Sequence, residues 1–125
     1  MSENRFAFFA FTAGLLLTSA PAMAADAAAG AKVFKTQCTV CHSPVAGKNL
    51  VGPSLFGIVG RQAGSAPGFH YSAANKGSGV TWDAATLDKY LPNPRAFIHG
   101  TTMSYAGLKN DTQRADLIAY LATLK

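Results

Sequence analysis

The sequence predicts an all-α fold, and three observations carry that prediction. Apolar residues recur at helical spacing in three separate stretches. Start and stop signals bracket each of them. No stretch alternates apolar and polar residues over the length of a strand. The expected architecture is three main helices and a short fourth one, joined by long loops.

The N-terminal stretch reads as a targeting segment. Met1 to Arg5 is short and polar, and Phe6 to Leu17 is an apolar run of twelve residues broken only by Thr12 and Gly14. Ala22-Met23-Ala24 is an Ala-x-Ala cleavage site, so the layout is that of a secretory signal peptide over residues 1–24. A membrane span needs about 20 apolar residues, which makes an uncleaved anchor the weaker alternative. Cleavage after Ala24 leaves one domain over residues 25–125, with no stable membrane insertion. Arg5 and Glu3 depart together, so the mature chain keeps the net charge of +5. Its ten cationic residues are spread along the chain rather than clustered. No nucleic-acid motif is present, and the charge fits either solubility or attraction to acidic protein partners.

Asp26 to Gln37 reads as the first helix, with Asp26 at its N-terminus. Ala27, Ala31 and Phe34 share a face with Gly30 and Cys38. A mid-helix glycine costs about 1 kcal/mol against alanine, so Gly30 suggests a second helix crossing close by. Ser43 to Val80 holds eight glycines and three prolines and has no sustained period. A loop of that length is unusual in a compact domain unless it wraps an object. Leu50, Leu55, Phe56, Ile58, Val59, Phe69 and Tyr71 are its candidate packing residues.

Trp82 to Leu91 reads as the second main helix, with Thr81 or Asp83 at its start and Pro92 as its stop. Asn93-Pro94 opens a short helix through Ile98, with proline at the first helical position. Thr101 to Leu108 is loop. Asn110-x-x-Gln113 resembles a capping box and opens a final helix to about Leu124, with Leu117, Ile118, Leu121 and Leu124 as its apolar stripe.

The object to be wrapped is indicated by Cys38-Thr39-Val40-Cys41-His42. Cys-x-x-Cys-His is the attachment signature of c-type haem. Two thiols add across the vinyl groups of the porphyrin, and the adjoining imidazole reaches the iron as proximal ligand. A zinc site needs about four ligands, and the chain has only two cysteines. A thioredoxin-type pair follows a strand in a βαβ pattern, whereas the segment before Cys38 reads as helix.

The sixth iron ligand is expected to be Met103. It is the sole methionine left after cleavage, and it lies in a loop after a helix stop. A thioether opposite histidine raises the reduction potential and fills both axial positions. The alternative for a lone methionine is gap-filling core. His70 and His99 are the rival ligands, and a partly protonated imidazole competes poorly at neutral pH.

An ordered set of motifs carries a family resemblance over Asp26 to Lys125. Beyond the haem motif these are Val51-Gly52-Pro53-Ser54-Leu55-Phe56-Gly57, Gly60-Arg61, Ala66-Pro67-Gly68-Phe69-His70-Tyr71, Ala74-Asn75-Lys76 and Thr81-Trp82. Tyr90-Leu91, Asn93-Pro94, Gly100-Thr101-Thr102-Met103 and Asp116-Leu117-Ile118-Ala119-Tyr120-Leu121 complete the set. The mature chain resembles the class I c-type cytochromes, specifically mitochondrial cytochrome c and its bacterial periplasmic counterparts.

That resemblance implies a cytochrome c fold around one covalently attached haem c. It implies that the Pro53 carbonyl accepts the proximal N–H of His42. Arg61, Tyr71 and Trp82 match residues that bind or face the haem propionates. Asn75, Tyr90 and Thr101 match a polar network on the Met103 side, with Tyr90 donating to the sulfur. Gly30 and Phe34 match the contact of the first helix with the last, against Leu117 and Tyr120. The chain departs from the family at His99, where proline is usual, and at Thr102 and Ala96, where lysine is common. Gln37, Ser104 and Tyr105 also depart, which makes the rim of the haem edge less lysine-rich.

The expected function is one-electron shuttling by a periplasmic monomer and not enzymatic catalysis. By the resemblance, a cytochrome bc complex is the donor and a terminal oxidase or photosynthetic reaction centre the acceptor. A haem peroxidase and a gas-binding or sensor haem protein remain as alternatives. Each requires that Met103 not be ligated.

Overall fold

A computed structural model describes residues 24–125. The expected signal peptide falls almost wholly outside the described residues. Five helices follow in chain order: α1 (Ala27–Gln37), α2 (Ala73–Lys76), α3 (Ala84–Tyr90), α4 (Pro94–Phe97) and α5 (Asp111–Leu121). Among the described residues there is no strand, only an isolated antiparallel bridge between Gln62 and Thr81. No helix among them is long and apolar enough to cross a membrane.

Each helix begins on a side-chain cap. Asp26 Oδ1 accepts from the Ala28 and Ala29 amides at 2.9 and 3.2 Å. Ser72 caps α2, Asp83 caps α3, Asn93 caps α4 and Asn110 caps α5. Such caps contribute about 1 kcal/mol each, which matters most for helices of four residues that have almost no internal bonds to sustain them.

Three boundaries differ from expectation. Helix α2 lies inside the stretch read as loop, because a four-residue helix is too short to show a period. Trp82 precedes α3 rather than opening it, since Asp83 accepts from the Thr86 amide at 2.7 Å and so sets the start two residues later. Helix α5 stops at Leu121, and Leu124 packs from the tail instead of from the helical stripe.

Helices α1 and α5 form the main packing pair. The crossing is closest at Gly30, where a Cβ would overlap the Asp116 carbonyl oxygen and lie 2.9 Å from Tyr120 Cβ. Phe34 stacks tilted on Tyr120 one turn later, with centroids 5.3 Å apart. Asp116 Oδ1 also accepts from the Asp26 amide at 2.7 Å, which ties the α1 start to α5. Helix α3 packs on α5 and α4 on α3. Phe34, Leu87, Leu91, Ile98, Leu117 and Leu121 are buried in the one core these contacts create.

The Gly30 approach is to backbone, which cannot swing aside. Gly30→Ala is expected to lower stability by about 2 kcal/mol, the cost of overpacking exceeding the propensity gain of about 1 kcal/mol. Guanidinium unfolding of the holoprotein checks this, and an unchanged or higher midpoint would show the crossing to be loose.

Candidate haem site

The loop from Ser43 to Val80 is held by its own hydrogen bonds. Ser54 Oγ donates to the Val45 carbonyl at 2.6 Å, and the Ser54 amide donates to Asn49 Oδ1 at 3.0 Å. Its far end pairs with the segment before α3. The Gly60 amide donates to the Trp82 carbonyl at 2.8 Å, and the Trp82 amide to the Arg61 carbonyl at 2.9 Å. That pairing brings Arg61 and Trp82, 21 positions apart in sequence, to one place.

A cavity of about 350 Å³ opens between this loop, α3, α5 and the segment after α4. It is lined by Cys38, Cys41, His42, Pro53, Arg61, Tyr71, Asn75, Trp82, Tyr90, Thr101 and Met103, so every site residue expected from sequence borders it. His70 and His99 are exposed and do not border it. Of the expected packing residues, Leu55, Ile58, Phe69 and Tyr71 line the cavity. Leu50, Phe56 and Val59 do not, which corrects the expectation. Leu50 and Phe56 point outward, at 46% and 38% exposure, and Val59 packs against the core elsewhere.

The chain turns directly after α1 to present the motif. The His42 amide donates to the Cys38 carbonyl at 2.8 Å, which curls Cys38 to His42 into one turn. Burial pushes the Cys38 thiol up to about 11, with Cys41 adding to the rise. His42 Nδ1 lies 2.7 Å from the Pro53 carbonyl oxygen. A carbonyl can only accept, so Nδ1 carries the proton and Nε2 keeps its lone pair for a metal. Burial lowers the His42 pKa, the Pro53 bond acts against this, and the Arg61 charge lowers it further. The net direction favours the neutral, ligand-competent ring.

Gly52 was not singled out in sequence. A Cβ there would press on the His42 ring, 2.7 Å from Nδ1 and 2.9 Å from Nε2. The bare backbone of Gly52 is thus one wall of the imidazole slot. Its amide donates to the Cys41 carbonyl at 2.7 Å. The Gly-Pro pair was visible in the sequence, yet only the fold shows that the glycine faces the ring.

On the far side, the Tyr90 hydroxyl donates to Met103 Sδ at 3.0 Å. Burial pushes the Tyr90 phenol up to about 12, which keeps it a donor over the ordinary pH range. Thr101 Oγ1 accepts from the Met103 amide at 3.2 Å, so the residue is held by its backbone as well as its sulfur. Trp82 stacks on Tyr90 with centroids 4.5 Å apart. Asn75 was expected in the same network, but its Oδ1 is buried with no partner among the described residues.

Family membership rests on comparison as well as geometry. The family model for cytochrome c matches residues 27–125. The chain belongs to the cytochrome c family. It is 55% identical over 117 residues to cytochrome c2 of Rhodomicrobium vannielii, covering 91% of this chain and 92% of that one. Cytochrome c2 of Rhodopila globiformis is 47% identical over 100 residues, covering 80% and 94%. The solved structure of cytochrome cH from Methylobacterium extorquens superposes with a TM-score of 0.74 at 45% identity, covering 78% of this chain and 98% of that one. The protein is therefore an all-α cytochrome, an electron-transfer protein with one covalently attached haem c.

The residues bordering the cavity fit that group. Arg61 gives Nη1 to the Phe56 carbonyl and Nη2 to the Ser54 carbonyl, at 3.2 and 2.9 Å. Its Nε is buried without a partner. A buried orphan donor on a cation suits a carboxylate such as a haem propionate. The Tyr71 hydroxyl accepts from the Ala66 amide at 3.0 Å, which leaves its own proton to donate.

The Gly52 contact can be tested directly. Gly52→Ala is expected to displace the His42 ring from Pro53 and to lower holoprotein stability by about 1–3 kcal/mol. Guanidinium unfolding together with the ferric Soret and far-red bands reads the effect. A variant with the wild-type midpoint and spectrum would show that the slot yields without cost.

Proposed function

We propose that this cytochrome is a soluble, exported one-electron carrier in which His42 and Met103 are the axial iron ligands. The observation that carries the reading is that both residues border one cavity and each is fixed by a second bond. His42 is held by the Pro53 carbonyl and Met103 by the Tyr90 hydroxyl. A bound haem supplies a one-electron couple. The chain's part is to hold both ligands in the same place in either oxidation state, so that little reorganisation accompanies transfer. Cys38 and Cys41 anchor the ring covalently, and Arg61, Tyr71 and Trp82 attend its propionates. Asn75, Tyr90 and Thr101 serve the Met103 side. With two protein ligands, no axial position remains for a substrate, which disfavours peroxidase and gas-binding roles.

The leader over residues 1–24 supports export, with cleavage after Ala24, a single domain over residues 25–125 and residence in the periplasm as a monomer. The cytochrome c2 relatives support a place between membrane redox complexes. A cytochrome bc complex would be the donor, and a terminal oxidase or photosynthetic reaction centre the acceptor. The cavity mouth is the docking surface in this reading. Its exposed members are Gln37, Val40, Val51, Thr102 and Ser104, and none is charged. Val40 and Val51 are 82% and 76% exposed. Contact there is uncharged and brief, as electron-transfer encounters are.

Two measurements test this reading. The ferric protein should show the weak far-red sulfur-to-iron charge-transfer band at neutral pH. Met103→Ala should abolish it and lower the reduction potential by on the order of 0.1 V. A band that survives the substitution would assign the sixth site to another residue. Separately, the ionic-strength dependence of oxidation of the ferrous holoprotein by ferricyanide should report an effective charge well below about +3, the polypeptide's +5 less two haem propionates, because the exposed mouth residues are uncharged. An effective charge of about +3 or more would mean that distant cations govern the approach.

A further inference from the structure

The segment that carries Met103 must return to the body of the protein before α5 begins. Its return is pinned to the end of α3. The Leu108 amide donates to the Leu91 carbonyl at 2.8 Å, and Lys109 Nζ donates to the Pro92 carbonyl. Gly107, at φ +116°, lies where a Cβ would collide with that same Pro92 carbonyl.

Arg114 sits beneath this return with only 8% of its surface exposed. Its Nε donates to Asp88 Oδ1 at 2.7 Å and its Nη2 to Asp111 Oδ1 at 2.9 Å. Its Nη1 reaches the Leu108 and Lys109 carbonyls at 3.3 and 3.4 Å. Asp88 stands on α3 two residues before Tyr90, the donor to Met103 Sδ. One guanidinium thus joins the helix that carries the sulfur's hydrogen-bond partner to the returning end of the sulfur's own loop.

A buried arginine is a poor source of bare stability, because desolvating its charge offsets much of what its bonds return. A methionine or leucine could fill the same volume. What an apolar residue could not do is link a carboxylate on α3 to two loop carbonyls through one rigid fork. Both carboxylates are exposed, Asp88 at 55%, and the Asp111 bond is the weaker of the two. That side chain is 91% exposed and lies three residues away on the same helix, so it contributes little.

We propose that Arg114 is a positioning residue for Met103, clasping α3 to the return of the Met103 loop so that the sulfur stays beside the iron. This rests on Met103 being the sixth ligand. In the proposal, loss of the clasp frees the loop while the haem and the core remain in place.

The test is imidazole binding to the ferric holoprotein, which requires Met103 to leave the iron first. Apparent affinity rises with the fraction of molecules whose loop is open. Arg114→Met is expected to bind imidazole about tenfold more tightly than wild type, the scale of one lost charged hydrogen bond. Asp88→Asn should shift in the same direction by less, and Asp111→Asn should match wild type. Val33→Ala trims a core-packed side chain of α1, away from the clasp, and should also match wild type. Amide exchange in the ferrous protein should accelerate at Leu108 in Arg114→Met.

Wild-type imidazole affinity in Arg114→Met would overturn the proposal. So would an equal shift in Val33→Ala, because the effect would then track overall stability. If Arg114→Met yields no holoprotein, Asp88→Asn carries the test, and an unchanged affinity there overturns it. Absence of the sulfur-to-iron band in the wild type would instead remove the ligation reading, and this inference with it.

Discussion

The structure depends on one constraint: about a hundred residues must enclose an apolar group far larger than any side chain. A chain of that size buries little surface by itself. The consequence is that the core and the site are the same object. Leu87, Leu91, Leu117 and Leu121 belong to the buried cluster and also line the haem cavity. The α1–α5 crossing, closed at Gly30, supports this wall from behind. Helix positions that would face another helix in an ordinary bundle here face the cofactor.

The two sides of the cavity are built differently. On the His42 side, the imidazole follows α1 by a single turn and is clamped by backbone alone, the Pro53 carbonyl in front and Gly52 against the ring. Nothing there depends on a rotatable side chain other than the imidazole. On the Met103 side, the thioether sits in a loop bonded by side chains: the Tyr90 hydroxyl, Thr101 Oγ1 and, at its return, the Arg114 guanidinium. Side-chain bonds of this kind are easier to open than a covalent and backbone clamp. Under the proposed His42–Met103 ligation, this asymmetry makes the Met103 loop the part of the molecule where ligation is tuned or lost.

Most of the architecture was legible in the sequence because its signals are local. Asp26, Asn93 and Asn110 announce their helices by capping chemistry, and Cys-x-x-Cys-His announces the cofactor by spacing. What was not legible was long-range. Trp82 looked like the first turn of α3; the Asp83 cap starts the helix after it, and its backbone pairs instead with Arg61. Leu50 and Phe56 looked like haem-packing residues because they are large and apolar in a loop that wraps the group. Their outward orientation depends on the turns between them, which composition does not encode. Gly52 stood in a motif with no role given to it, and Arg114 carries no pattern at all. One matters because something is absent from its Cα, and the other because partners 26 and 6 residues away converge on it.

Charge and contact are separated on this surface. The net charge of +5 is spread over lysines and arginines along the chain, whereas the exposed members of the cavity mouth carry none. Spread charge attracts an acidic partner over distances comparable to the Debye length, about 8–10 Å at cellular salt. In the proposed docking, the exposed mouth residues Val40, Val51, Thr102 and Ser104 carry no charge and leave no ion pair to break. Encounter is thereby assisted while release is not hindered. For a carrier that must leave each partner after one electron, that division of labour favours turnover over affinity, since related complexes differ chiefly in how fast they come apart.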